Sequence, residues 1–232
     1  HASGIEEGNI PALTNPKTIT IDEADDLIGD DLGGIAVEID GQARFYPVQV
    51  MNWHEVVHDT LGGKSILVYY GPLTGAASVY ELPEGKKFVV SGQEYNNDVF
   101  LKEEGTATLW SGIAGVPVVA ETEAELNASL VRLPSTFMTW VEWKMSRTVS
   151  SNLSSSSVLS FDTGHERDYT RHPYGNYENS SGVYFPVNHS VIPVRAKEPA
   201  YVVELAEGSV VMLGTVALLD QTPIVQIGRV CV

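Results

Sequence analysis

Short alternating runs closed by glycine-containing turns dominate this chain and point to strands joined by tight hairpins. The clearest is Ile35-Ala36-Val37-Glu38-Ile39, then Asp40-Gly41, then Ala43-Arg44-Phe45-Tyr46. Alternation at period two puts one set of side chains on one face, and an Asp-Gly pair supplies the positive φ that a two-residue turn needs. Residues 64–73, 75–82, 86–92, 98–103 and 107–112 read as further strands, with Pro83-Glu84-Gly85 and Glu104-Gly105 among the turns. A chain of 232 residues built this way is expected to be mainly β (α+β). The expectation is one β-sandwich or barrel-like domain with two or three short helices.

Helix signals are few. The acidic cluster after Thr20 can open a short helix. Pro47 suits a first helical turn, and Val48, Met51, Val56 and Leu61 fall on one helical stripe with Gly62-Gly63 as the stop. That reading puts His54 and His58 on one helix face. Residues 136–145 have helical character, with Phe137, Trp140 and Lys144 on one side. Residues 1–18 read as an extended arm, and 19–232 as the β-rich domain. Residues 150–160 are a serine-rich loop feeding a strand, and 161–182 a long ordered polar loop. A weak internal duplication links about 34–50 with 191–205.

The net charge is −16, which repels phosphate backbones and anionic membrane surfaces. No apolar stretch is long enough to span a membrane. The one cysteine, Cys231, excludes an internal disulfide and a thiolate metal cluster, and reads as a small apolar strand residue. A first residue other than Met is expected from removal of a signal peptide or a trimmed tag. Four N-x-[ST] sequons, at Asn127, Asn152, Asn179 and Asn188, point to a secreted chain carrying N-linked glycans.

His54-Glu55-Val56-Val57-His58 fits the H-E-x-x-H pattern, in which two histidines one helical turn apart bind zinc and the glutamate activates its water. A third ligand is missing. Leu61 and Lys64 stand where one class needs Gly and His, and Glu81 and Glu84 lie on a strand and turn. A divalent metal at His54 and His58 is therefore the alternative, and no cofactor the main expectation. No G-x-S-x-G elbow or phosphate loop occurs, and Asp162-Thr163-Gly164 has no second copy. Trp53, Trp110, Trp140 and Trp143 read as core anchors before a ligand platform. Arg167, Asp168 and Tyr169 suggest an Arg–carboxylate clamp that pins the polar loop.

The ordered motifs NPKTITIDEAD, AVEIDGQARFYPVQVMNWHEVVHDTLGG, YYGPLTGAA, VSGQEYNNDVFL, TLWS and SFDTGHERDYTRHPYGNY resemble the domain-of-unknown-function family numbered three-one-seven-nine, over roughly residues 9 to 205. The family pattern has Asn where His58 stands, so the resemblance implies that the second zinc-like histidine is a local substitution. It implies a shared structural or binding role for His54 and Glu55. It also places Gly71 and Thr74 where the family carries a closely spaced cysteine pair, so thiol chemistry is absent here.

Two functions are expected from these readings. The first is a secreted, non-enzymatic structural or assembly protein at the cell surface, self-associating into filaments by exchange of its terminal strands. The second is a ligand- or metal-binding protein or enzyme with a site near His54, Glu55, Tyr95, Asn96, Trp110, Ser111, Arg167, Asp168 and Tyr169.

Overall fold

The computed structural model describes residues 6–150, 155–187 and 197, and four later strands by their backbone. The first sheet has the order β13 (Ser135–Thr139), β3 (Gly33–Ile39), β4 (Gln42–Pro47), β14 (Ser156–Leu159), β2 (Thr18–Ile19). The second runs β1 (Leu13–Thr14), β5 (Val56–Leu61), β6 (Lys64–Gly71), β7 (Ala76–Glu81), β12 (Arg132–Leu133). The third runs β11 (Pro117–Val119), β10 (Leu109–Ser111), β9 (Asp98–Glu103), β8 (Phe88–Tyr95). Beyond them, β15 (Ala200–Glu204) pairs with β16 (Val210–Gly214), and β17 (Gln226–Ile227) with β18 (Val230–Cys231). The helices are α1 (Ile21–Asp25), α2 (Val48–His54), α3 (Glu123–Leu126) and α4 (Trp140–Val149). The result is one β-rich unit of stacked sheets with no closed barrel among the described residues, and four short helices where two or three were expected.

The second sheet is the middle layer, and the pleat explains why β5 and β6 are buried nearly throughout. Val57, Ile66 and Val68 face the first sheet and α2, packing with Ile35, Val37, Tyr46 and Met51. Their neighbours Val56, Leu67 and Tyr69 face the third sheet, packing with Phe88, Leu101 and Trp110. A strand buried on both faces loses polar alternation and reads as a continuous apolar run. The outer face of the first sheet is covered by α1 and α4, whose Ala24, Trp140 and Trp143 enclose Phe45 and Val158.

The Asp40-Gly41 hairpin forms as expected, with Ile39 opposite Gln42 and both turn residues at positive φ, 47° and 78°. The acidic cluster becomes α1, started by a capping box between Thr20 and Glu23; boxes at Thr122/Glu125 and Thr139/Glu142 start α3 and α4.

Two expected helices differ. Gly62-Gly63 is not a helix stop but the two-residue turn of the β5–β6 hairpin, with Leu61 opposite Lys64 and φ of 56° and 76°. Helix α2 therefore ends at His54, and His58 lies in a strand. The β-branched pair Val56-Val57 fits a pleated surface buried on both sides better than a helix. Phe137 likewise belongs to β13, stacked on Tyr70 at 6.4 Å, and the helix begins only at Trp140.

The expected arm joins the sheets. Leu13 and Thr14 pair in parallel with Val57 and His58, and Thr18 and Ile19 pair with Leu159 and Val158. Residues 1–5 and 151–154 lie outside the described residues, as does most of the second copy of the proposed duplication, 191–205. Cys231 falls in β18.

Gly34 shows how tightly the first sheet is packed. A Cβ there would sit 2.2 Å from the ring of Phe45, which is itself wholly buried. Gly34→Ala is expected to cost about 1–3 kcal/mol in chemical denaturation. In a Phe45→Leu background the loss shrinks; equal losses in both backgrounds would contradict the packing account.

Candidate functional site

The abrupt end of α2 creates an unusual position. Glu55 caps the helix with φ 59° and ψ −31°, a conformation that L residues rarely adopt. Its N–H donates to Met51 O and its carbonyl accepts from Tyr70 N–H, each at 2.8 Å. The side chain is thereby turned inward and is wholly buried. Oε1 accepts a 2.7 Å hydrogen bond from the Tyr174 hydroxyl, while Oε2 has no partner among the described residues. Burial pushes this carboxyl up to about 8, the Tyr174 hydrogen bond opposes that, and the nearby Glu94 and Asp98 charges add to it.

Glu94 and Asp98 arrive from the β8–β9 hairpin. Asn96 and Asn97, at φ 53° and 66°, form its two-residue turn between Tyr95 and Asp98. The ladder register shifts between Val90 and Glu94, where Gly92 has φ 72°. Asp98 Oδ1 accepts from Tyr69 and Oδ2 from Ser111, both at 2.8 Å. Burial raises the Asp98 carboxyl, and the Ser111 and Tyr69 hydroxyls and a backbone bond at Ile113 hold it down. Burial carries Glu94 to about 7. The Tyr69 phenol lies close to both Asp98 and Glu55, whose charges add to burial in raising it.

In front of Asp98 lies a cavity of about 490 Å³, lined also by Thr74, Tyr95, Asn96, Phe100, Ser111, Ile113 and Val118. Glycines beside it make room for Tyr69. A Cβ on Gly112 would meet the Tyr69 ring at 2.4 Å, and one on Gly71 would lie 2.7 Å from both Thr74 Oγ1 and the Tyr69 hydroxyl. The room that lets Tyr69 reach Asp98 therefore depends on missing side chains at both positions. Thr74 itself is held in the turn after β6, its hydroxyl donating to Gly71 O at 3.1 Å.

The long polar loop folds back over α2 and the cavity's neighbourhood, pinned by tyrosine hydroxyls. Tyr169 donates to His54 Nε2 at 2.7 Å, Tyr174 to Glu55, and Tyr177 to Leu73 O at 3.1 Å. Asn97 clasps the backbone of Phe185 through two bonds of 3.0 and 2.9 Å. The expected Arg–carboxylate clamp is absent among the described residues. Arg167 instead lies over the Trp53 ring at 5.8 Å, and exposed Asp168 closes a local turn onto Thr170. A tyrosine places its polar tip at the end of a long apolar body, so it can pin a loop without burying a second charge.

His54 and His58 do not act together. His54 Nδ1 lies 2.8 Å from Pro11 O, so it carries the proton, and Nε2 accepts from Tyr169. Burial holds this imidazole down to about 4. His58 Nε2 accepts the backbone N–H of Phe88 at 3.0 Å, and burial lowers its pKa too. His54 has both ring nitrogens engaged and His58 lies on a different element, which does not fit a divalent metal shared by the two.

Of the residues singled out from sequence, Tyr95, Asn96 and Ser111 line the cavity, while Glu55 sits in the carboxyl cluster beside Asp98. His54 and Tyr169 form a separate hydrogen-bonded pair. Trp110 is a core residue, edge-on to Phe88 at 5.6 Å. Asp98, Glu94, Tyr69 and Tyr174 were missed; only the turn dipeptide Asn96-Asn97 beside Asp98 could have drawn attention to the first. Asn127 and Asn179 are exposed, and Asn152 and Asn188 lie outside the described residues.

A family model described as "Protein of unknown function (DUF3179)" matches residues 7–225. No curated protein and no solved structure matches the chain.

The buried groups set the pH response. Glu55 is raised from 4.5 to about 8, so its ionisation destabilises the fold as pH rises through that window; Glu94 and Asp98 act in the same sense. His54 is lowered from 6.5 to about 4, so stability falls as pH drops through that window. Above about pH 6.5 the His54 contribution is constant, and the carboxyls alone shape the curve. Glu55→Gln keeps an acceptor for Tyr174 and is expected to flatten the loss between about pH 6.5 and 8 in thermal melts. Through Glu55 alone, each pH unit crossed there should remove up to about 1.4 kcal/mol from the wild type. An unchanged alkaline limb would show that Glu55 ionises freely.

Proposed function

The chain belongs to the DUF3179 family, and we propose that it is a ligand-binding protein whose site is the cavity over Asp98. One observation carries this reading. An acid held by two hydroxyl donors forms the polar floor of a cavity of about 490 Å³, within the ordinary range of small-molecule sites, about 300–1,000 Å³. Two unfavourable features support it. Glu55 has a rare backbone conformation, and its buried Oε2 has no partner among the described residues. Strain and unsatisfied polar atoms are retained preferentially where a site needs them.

The assembly reading has less support. Its N-terminal arm is already engaged, β1 with β5 and β2 with β14, leaving no free donor strand between residues 13 and 19. Secretion stays within the proposal, since Asn127 and Asn179 are exposed as glycan acceptors must be. The intact mass of native protein is expected to fall on N-glycan removal; an unchanged mass ends the glycoprotein reading.

Val118 lines the cavity and is 39% exposed, so Val118→Trp can fill it from the rim. In a ligand-observed NMR screen, fragments that bind the wild type are expected to lose their signal with Val118→Trp while its melting temperature holds. Fragments bound equally by both proteins would remove the cavity from consideration.

A further inference from the structure

The charge around the cavity narrows the class of ligand. Among the described residues no Lys, Arg or His lines it, and Asp98 is its only carboxyl. The bases on neighbouring strands do not enter the lining. Lys102 pairs with Glu7 at 2.9 Å and Lys86 with Glu103 at 2.6 Å. Arg132 lies over the Tyr80 ring at 5.1 Å and is bonded to Ile113 O, the Ser78 hydroxyl and the Tyr80 hydroxyl. Behind the floor stand Glu55 and Glu94, both almost wholly buried. Asp98 is thus the one charged side chain in the lining among the described residues.

The lining adds two features. A carboxylate offers about four acceptor positions, and the Tyr69 and Ser111 hydroxyls with the Ile113 backbone bond take three of those on Asp98, leaving room for a ligand N–H. Two rings, Tyr95 and Phe100, share the cavity, and Tyr95 is 48% exposed. A carboxylate beside aromatic side chains is the arrangement that holds an ammonium group, through a charge-assisted hydrogen bond and the negative ring faces. An anion would meet the Asp98 carboxylate with no base in the lining among the described residues. A neutral alcohol would satisfy Asp98 but leave its charge unbalanced.

We propose that this cavity selects small organic cations, with an ammonium group seated on Asp98 between Tyr95 and Phe100. The inference rests on the ligand-binding reading and gives it a substrate class. Burial raises the Asp98 carboxyl, and an ammonium beside it would favour the charged form.

Calorimetry with three soluble probes of one shape tests it: benzylammonium, benzyl alcohol and benzoate, against wild type, Asp98→Asn and Val118→Trp. Benzylammonium is expected to bind the wild type about tenfold tighter than the alcohol, with benzoate weakest. Asp98→Asn erases the preference for the cation while alcohol binding persists, and Val118→Trp removes both. If the alcohol equals the cation, or Asp98→Asn keeps the preference, cation selection is wrong and the cavity reading stands. If no probe binds, or Val118→Trp changes nothing, both fall. Should Asp98→Asn fail to fold, the ranking of the three probes on wild type decides.

Discussion

The reversal of the chain at Glu55 is the constraint on which the rest depends. Helix α2 must stop within one residue and enter β5, a strand in the middle layer of the stack. That turn is tolerated only because its backbone groups are bonded on both sides, to Met51 and to Tyr70. Its geometry drives a carboxyl into the interior, and every group near it answers to that charge. Tyr174 descends from the polar loop to bond it, and Asp98 is held by hydroxyls on the far side of Tyr69. A carboxyl placed in so dry a setting favours its neutral form, which keeps the fold intact but makes it sensitive to alkali.

The polar loop from residue 160 to 187 is held over this region without strands or helices of its own. Its tyrosines divide the work by reach: one bonds a histidine, one a carboxyl and one a backbone carbonyl. Tyr184 then packs on Tyr177 at 4.5 Å and bonds Tyr174 O at 3.2 Å, tying the loop to itself. Lys197 lies over the Tyr177 ring at 3.5 Å. Aromatic bodies supply buried area and hydroxyl tips supply direction, so an irregular segment can be ordered.

Much of the strand order was legible. The Asp40-Gly41 turn, the acidic start of α1 and the strands from 64 to 112 follow from period and turn chemistry alone. The H-E-x-x-H string was misleading because its helical spacing is real only if the helix continues. Val56 and Val57 are apolar in either reading, and only pairing with β6 makes them strand residues. Trp110 is the core anchor its size suggests, since a large ring in a β-rich chain finds its lowest energy between sheets. The Arg167 clamp failed because its neighbour Asp168 is taken by Thr170 two residues on, a local bond that competes with any distant one.

Sequence alone determined the Asp40-Gly41 hairpin, most strands between residues 64 and 112, the excess of negative charge and the lack of cysteine at residues 71 and 74, because these are local or additive properties. Tertiary structure decided which acids matter. Glu94 and Asp98 look like any other carboxyls in a chain with 30 acidic residues, and Glu55 stands out only through its place after His54. They differ only because sheet stacking strips water from all of them and brings two separate stretches of sequence together, and desolvation is a property of the assembled fold.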